Sequence, residues 1–354
     1  MSIPPWVNAS VLEVGISKKG KMAKHAKLIR PDIVAVTCIG SEHGTSLGEL
    51  KDTCEEKAHM VRVLPKDGLA ILNGDDPYVK KMLLYTKARS VTHGYADTND
   101  LQASFIKSNL VDGTLFSITE GDESFEVSTQ LLGKANIRSI MAALIVAKEL
   151  GIDRKLAIKR LGTLSPAPER LELMHTPMGV YILVDSLKSA FETVKLSLET
   201  LEDLPADRKV VILGEVEEPS GSLGELYRKI GADVARIASH LIFVGSKRVK
   251  RPLFGEAKRA GMNNDNLFFV GSSVSEAIEQ VLHLVKPGAL VLIKGRSSQK
   301  LGRIALALNR DSVLCTREFC SQNHRCFLCD KLKKNYYDDH RQIDTLNHTE
   351  EFLY

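Results

Sequence analysis

Five polar residues lie at or near the ends of two apolar segments, where side chains could bind a ligand: His43, Lys57, Asn73, Asp75 and Asp76. Imidazole, amine, amide and carboxylate groups gathered at one place can bind metal ions and anionic substrates. The apolar segments Ile33 to Val36 and Leu69 to Leu72 are predicted strands, joined by a helix from Leu47 to about Val63. This order predicts a βαβ unit, in which ligands bind beyond the carboxyl ends of the parallel strands.

A glutamate occupies a further apolar segment upstream. Val11 to Ile16 is predicted to form a strand, and Glu13 is its one charged residue. A carboxylate in a buried strand is unfavourable unless it is paired or binds a cation. A metal-binding role is therefore favoured over a purely structural one for Glu13.

The residues after this predicted strand contain part of a phosphate-binding pattern. Gly15, Gly20 and Lys21 fit the spacing G-x4-G-K. The full pattern continues with a serine or threonine that binds magnesium, whereas this sequence has Met22. A glycine-bearing turn into a helix at Met22 to Leu28 is the favoured interpretation, and a true phosphate-binding loop is the alternative.

Together these segments resemble the central ATPase domain of the Mur ligase family. Thr37-Cys-Ile-Gly40-Ser-Glu-His43 is similar to the family's T-N-x-G-x-x-H, and Asn73-Gly-Asp-Asp76 to its N-x-D-D. Lys57 stands at the position of a lysine that is carbamylated in several members, and Val11 to Gly15 resembles the strand whose glutamate holds magnesium. The resemblance extends over roughly residues 10 to 308.

The resemblance implies an ATP-dependent ligase that joins a small-molecule carboxylate to an amine through an acyl phosphate. Glu13, His43 and Lys57 would hold magnesium ions that neutralise developing charge, with Lys57 and His43 in catalytic roles. The implied nucleotide-binding residues are Asn73, Asn136, Arg170 and Asp185.

The family's own P-loop and acceptor-binding domain precede the Glu13 segment, where this sequence has only twelve residues. Backbone amides and a lysine in such loops supply much of the catalysis of phosphoryl transfer. We therefore expect a P-loop-bearing segment or partner to complete the site, and the alternative is a non-catalytic Mur-ligase-like subunit or scaffold. Removing the P-loop strand would expose a sheet edge, which predicts association with a partner or a second copy through residues 1 to 40.

The fold prediction is a truncated central α/β domain at residues 1–164, followed by a Rossmann-like domain at residues 165–308. The first sheet is expected to be mainly parallel, with antiparallel strands added between Leu101 and Leu132 around a turn at Asp112-Gly113. Ser165-Pro-Ala-Pro168 marks the domain boundary. The strands predicted for the second domain are Val180 to Val184, Val210 to Leu213, Leu241 to Val244, Leu267 to Val270, and Leu290 to Ile293.

The second domain resembles the family in its fold pattern more than in its motifs. Glu169-Arg-Leu-Glu172 replaces G-R-L-E, and Lys294-Gly-Arg-Ser297 replaces K-G-S-R. Asp185 is retained, but Leu187 to Phe191 replaces Y-N-A-N-P. Gly133 to Asn136 opens a predicted helix at Ile137 to Leu150, without the family's usual histidine.

The tail, residues 309–354, departs from the family and contains four of the six cysteines: Cys315, Cys320, Cys326 and Cys329. His324 and His340 lie nearby in the sequence. Four thiolates could close a tetrahedral structural zinc site. A disulfide is disfavoured in the cytosol. The alternative to a zinc site is therefore free thiols in a poorly ordered tail.

The composition excludes several other classes of protein. The net charge of +4 does not by itself indicate a nucleic-acid partner, and no apolar run is long enough to span a bilayer. The N-terminal residues lack the pattern of a signal peptide, so a cytoplasmic location is predicted.

Overall fold

The computed structural model describes residues 6–16, 18–40, 47–217, 221–322 and 325–332. Within these ranges the chain forms two sheets of six strands each, with helices packed against them. This architecture confirms the predicted mixed α/β fold with two sheets.

The first sheet has the order β1-β2-β3-β4-β5-β6, with parallel pairing from β1 to β4 and antiparallel pairing from β4 to β6. Its strands are β1 (Ile33–Val36), β2 (Leu69–Asn73), β3 (Arg89–Gly94), β4 (Leu101–Asn109), β5 (Gly113–Glu120) and β6 (Glu123–Thr129). The glycine at the start of β5 has a φ of +80°, so the predicted turn at Asp112-Gly113 is confirmed. Strand β1 lies at an edge of this sheet and has no second neighbour within the described ranges.

The helices of the first half are α1 (Lys21–Ile29), α2 (Leu50–Arg62), the short α3 (Pro77–Lys80), α4 (Lys134–Glu149) and α5 (Arg154–Leu161). Helix α2 begins with a capping box, in which the Glu49 and Asp52 side chains each accept a hydrogen bond from the other's backbone N–H. Its buried face, with Ala58 and Val61 fully inaccessible, packs in the same core as β1 and β2. This packing holds α2 against the sheet beside β1 and β2.

The second sheet has the order β11-β10-β9-β12-β8-β7 and is parallel except for β7. Its strands are β7 (Glu172–His175), β8 (Tyr181–Asp185), β9 (Arg208–Leu213), β10 (His240–Phe243), β11 (Leu267–Phe269) and β12 (Ala289–Lys294). The helices around it are α6 (Phe191–Asp203), α7 (Leu223–Ile237), α8 (Lys247–Arg259), α9 (Val274–Leu284) and α10 (Gly302–Leu308). Strand β12 is buried along its whole length, as expected for a central parallel strand.

One predicted strand is wrong. Residues 11–16 have no strand structure, and Val11 is 89% exposed. The alternation of apolar residues predicted a strand, but a strand also needs a neighbour to pair with, and this segment does not pair with β1. The predicted helix that follows is confirmed as α1.

None of the helices in the described part of the chain is both long and apolar enough to cross a membrane.

Candidate functional site

Three of the predicted residues converge on the backbone that leaves β1. The Lys57 ammonium donates a hydrogen bond to the carbonyl of Cys38 at 2.9 Å, and the Asn73 amide donates to the carbonyl of Thr37 at 2.7 Å. The N–H of Ile39 donates to Oδ2 of Asp76 at 2.7 Å. The segment Thr37–Ile39 is therefore held by one side chain from α2, one from the last residue of β2 and one from the turn that follows.

Asn73 is buried, with 5% of its surface exposed. Its Oδ1 accepts a hydrogen bond from the N–H of Asp75 while its Nδ2 binds Thr37. Both ends of the amide are thus used within the protein, and Asn73 braces the two strand ends in this arrangement.

Asp75 organises the other side of the same turn. Its carboxylate accepts hydrogen bonds from the backbone N–H groups of Tyr95 and Ala96, at 2.8 and 3.0 Å, and from Nε of Arg138 at 3.2 Å. Burial acts to raise the pKa of Asp75, but the two backbone hydrogen bonds and Arg138 together hold this pKa below its usual value. Arg138, whose guanidinium also lies 4.9 Å from the centre of the Tyr95 ring, anchors α4 to the strand ends. Arg138 was not predicted as a site residue, because its partner Asp75 is 63 residues away in the sequence.

His93 lies beside Asn73 on the neighbouring strand, since the two residues are paired in the register of β2 and β3. His93 is buried, with 1% of its surface exposed, and neither ring nitrogen has a hydrogen-bond partner among the described residues. Burial lowers the pKa of His93 to about 4, so the imidazole is neutral at physiological pH. Nothing in the sequence pattern had marked this residue.

The phosphate-loop candidate before α1 has its own intramolecular acceptor. The N–H of Gly20, a residue with φ of +81°, donates to Oε1 of Glu56 at 2.7 Å. A carboxylate at that position would repel a phosphate group. The geometry favours the turn interpretation of Gly15 to Met22.

The predicted magnesium set is not assembled by the described residues. Glu13 is exposed in an irregular segment, so the argument that its burial requires a cation does not apply. His43 lies outside the described residues, as do His324 and His340. No group of three or more histidine, cysteine, aspartate or glutamate side chains in the described ranges is placed to hold a metal ion. Magnesium and zinc therefore stay predictions.

The second sheet has a buried ion pair at its carboxyl edge. Nζ of Lys294, at the end of β12, lies 2.7 Å from Oδ2 of Asp185, at the end of β8, and their side chains are 1% and 8% exposed. The Ser197 hydroxyl donates to the same oxygen at 2.5 Å. Burial lowers the pKa of Lys294, Asp185 opposes this effect, and the positive charge of the exposed Arg170 adds to it. The charges of Asp185 and Arg170 therefore both act on Lys294.

A second polar group surrounds Glu215, which follows β9. Its carboxylate accepts hydrogen bonds from Nη2 of Arg296 at 2.6 Å and from the N–H of Ser246 at 2.9 Å. The buried Gln299 side chain accepts from the N–H of Glu215 and donates to the carbonyl of Val244, both at 2.9 Å. The loop after β12 is thereby fixed to the ends of β9 and β10.

Asn136, the remaining nucleotide candidate, donates its amide to the carbonyl of Leu132 at 2.7 Å. It supports the start of α4, where Gly133 has a φ of +89°. A Cβ atom at Gly133 would also lie 2.3 Å from Oγ1 of Thr200, so this glycine allows the close approach of α6.

Comparison with known proteins shows that two domains of the Mur ligases match this chain. The Mur ligase middle domain matches residues 3–147, and the Mur ligase glutamate ligase domain matches residues 169–297. A relative from Bacillus subtilis (strain 168), UDP-N-acetylmuramoyl-tripeptide–D-alanyl-D-alanine ligase, is 27% identical over 306 residues, which are 86% of this chain and 65% of the relative. The enzyme of the same name from Mycobacterium tuberculosis (strain H37Rv) is 24% identical and is covered over 63% of its length.

Solved structures show the same fold. MurF from Acinetobacter baumannii superposes with a TM-score of 0.72 at 20% identity, covering 85% of this chain and 64% of that one. MurF ligase from Thermotoga maritima in complex with ADP has a TM-score of 0.70 at 19% identity, covering 83% and 65%. The chain thus spans about two thirds of the length of each of these proteins.

Proposed function

This chain belongs to the Mur ligase family. We therefore propose that it forms part of the active site of an ATP-dependent ligase that makes amide bonds, and that this part lies at the carboxyl ends of β1 and β2. In the proposed reaction, a substrate carboxylate oxygen attacks the γ-phosphorus of ATP, which gives an acyl phosphate and ADP. An amine then attacks the acyl carbon and displaces phosphate. The carboxylate would belong to a nucleotide-linked peptide, as the names of the relatives suggest.

The convergence of Lys57, Asn73 and Asp76 on Thr37–Ile39 is the observation that carries this proposal. It places a lysine ammonium and two polar side chains at the carboxyl ends of adjacent parallel strands, where α/β proteins bind nucleotides. Among the described residues, the one hydrogen-bond partner of the Lys57 ammonium is a neutral backbone carbonyl. It can therefore bind an anionic group or, after carbamylation, offer a carboxylate to magnesium.

We further propose that the phosphate-binding loop comes from outside the described residues, on a preceding segment or on a partner. The hydrogen-bonding edge of β1 facing away from β2 is the position where another strand can add. The Gly20 amide is engaged by Glu56 and cannot serve as the cradle without breaking that bond. A magnesium ion, which would neutralise charge on the phosphates, has no assembled ligand set among the described residues, so the proposal assigns it no step.

A non-catalytic subunit or scaffold is the second candidate, and the exposed position of Glu13 favours it. In that case the chain would retain the fold and bind a partner, but it would have no specific affinity for ATP at the β1–β2 ends.

Calorimetric titration with ATP-magnesium tests the proposal. We expect weak binding by the 354-residue chain and its loss in Lys57→Ala, because this substitution removes the cation beside Thr37–Ile39. The matched control is Lys51→Ala, an exposed lysine on the same helix, which should bind like the parent chain. Binding that is absent in the parent, or unchanged in Lys57→Ala, would support the non-catalytic alternative.

A further inference from the structure

Four thiols line one small cavity near the end of the described chain. Cys315, Cys320, Cys326 and Cys329 all contribute to its wall, and the cavity volume is about 30 Å³. A cavity of this volume has room for a water molecule or a small ion. All four cysteines are free thiols. The cavity is therefore of a size for a single small ion, and sulfur dominates its potential ligands.

The backbone holds these cysteines in a closed arrangement. The N–H groups of Leu314 and Cys315 both donate to the carbonyl of Leu332, at 2.8 and 3.2 Å. Leu332 is buried, so the end of the described chain folds back over the start of the cysteine segment. Cys326 and Cys329 lie at the two ends of a single 3₁₀ turn, a spacing common in zinc half-sites.

The surroundings of the cavity are positively charged. Arg303 on α10, with 2% of its surface exposed, donates from Nη1 to both the carbonyl and Sγ of Cys315, at 2.7 and 3.4 Å. Lys300 also lines the cavity. Hydrogen bonds and positive charges of this kind stabilise a thiolate. Four thiolates around one Zn²⁺ carry excess negative charge, and these two cations are placed to offset it.

We propose that these four cysteines bind one Zn²⁺ in a structural site that fastens the cysteine segment to the loop after β12. Within the described ranges the four thiols are not grouped closely enough to hold an ion as they stand. Zinc binding would therefore have to draw the thiols closer together, to about 2.3 Å from the metal, and release their protons.

The proposed site is coupled to the second-sheet edge. The N–H of Cys320 donates to the carbonyl of Ser298 at 2.8 Å, and Lys300 donates to the carbonyl of Gln322 at 2.6 Å. The Arg296 guanidinium, which binds Glu215, also lies 5.3 Å from the centre of the Phe319 ring. Zinc would thus rigidify the loop that holds Arg296 in place.

Elemental analysis of protein purified without added metal tests the site. We expect about one zinc per chain, lost in the double variant Cys326→Ser, Cys329→Ser. Cys54→Ser is the matched control, because Cys54 is a buried thiol in the first core, with its Sγ bonded to the carbonyl of Tyr78. It should retain zinc. A metal content near zero, iron in place of zinc, or equal loss of zinc in Cys54→Ser would overturn the proposal.

A second measurement needs no variant. Chelation of the parent protein should expose four additional reactive thiols and speed hydrogen exchange at the amides of Cys315 and Cys320, whose hydrogen bonds close the segment. Re-addition of zinc should reverse both changes. If four thiols react freely before chelation, or if exchange is unchanged by the chelator, the zinc site does not exist.

Discussion

The carboxyl edges of the two sheets are organised differently. At the first edge, side chains from α2 and the end of β2 bind the backbone of Thr37–Ile39, and β1 has an open outer side within the described ranges. At the second edge, Lys294 and Asp185 bind each other inside the sheet, with strands on both sides of β12.

This difference shows which part of the fold is self-sufficient. A buried ion pair with a further hydrogen bond, such as Lys294–Asp185 with Ser197, satisfies its own charges. An unpaired strand edge presents N–H and C=O groups that another strand can bind. The charges at the carboxyl ends of β8 and β12 are therefore paired inside the protein, whereas the outer side of β1 is where we propose that another strand adds.

The largest expected effect is at the closed edge. Lys294→Ala should destabilise the fold by about 3–5 kcal/mol, because Asp185 would keep a buried charge without its partner. Urea unfolding measures the change, and Lys229→Ala, in the exposed pair with Glu225, should cost less than about 1 kcal/mol. If the two lysine variants lose equal stability, the buried pair is not the closure of this edge.

His93 gives the first edge a distinct pH dependence. The pKa of His93 is about 4 in the folded chain and the ordinary histidine value is 6.5, so the unfolded chain takes up a proton first as the pH falls. Stability should be unaffected above pH 6.5 and should decrease by up to about 3 kcal/mol on going down to pH 4.

The His93→Phe variant should lose this part of the pH dependence, because phenylalanine does not titrate. His175→Phe is the control at an exposed histidine of β7, and it should keep the slope. Urea midpoints between pH 4 and pH 7 provide the comparison. An unchanged slope in His93→Phe would mean that another group causes it.

Asp75→Asn should have a smaller effect, a loss of about 1–3 kcal/mol at pH 7, because it removes the charge that Arg138 and the backbone N–H groups stabilise. The folded pKa of Asp75 is lowered, so its contribution is complete above the unfolded pKa and is lost as the pH falls through the folded one. Parent and variant should therefore converge in acid. The nearby exposed Asp97→Asn serves as the control, and an equal loss there would contradict the assignment.

The smallest effect on folding is expected at the open edge. Ala35→Lys, at an exposed position of β1, should change stability by less than about 1 kcal/mol but reduce self-association or partner binding, because edge lysines oppose strand addition. Light scattering coupled to size exclusion at several concentrations measures the mass. A parent chain that is monomeric at every concentration and binds no partner would contradict an open edge.

The sequence predicted the second sheet well, because its buried parallel strands are continuous apolar runs. Strand β3 was missed, since Arg89–Gly94 contains few apolar residues, and β7 was missed because Glu172 was interpreted only as part of a motif. The segment Val11 to Ile16 has a strand-like pattern but no partner. A local pattern cannot show whether a neighbouring strand is present.

The candidate site was predicted in part. Lys57, Asn73 and Asp76 stood out as polar residues near strand ends, and the structure brings them together. The roles of Arg138 and Gln299 depend on contacts with residues distant in the sequence, which no spacing rule reveals. The burial of His93 likewise follows from tertiary packing.

Release of ADP by the purified 354-residue chain tests the central claim most directly, because it asks whether the first edge is complete. With ATP-magnesium and candidate carboxylate and amine substrates, we expect no detectable ADP above background. Sustained ADP release that is abolished by Lys21→Ala, and unaffected by Lys24→Ala on the same helix, would contradict the claim. It would show that Gly15 to Lys21 is the phosphate cradle and that the chain needs no other segment.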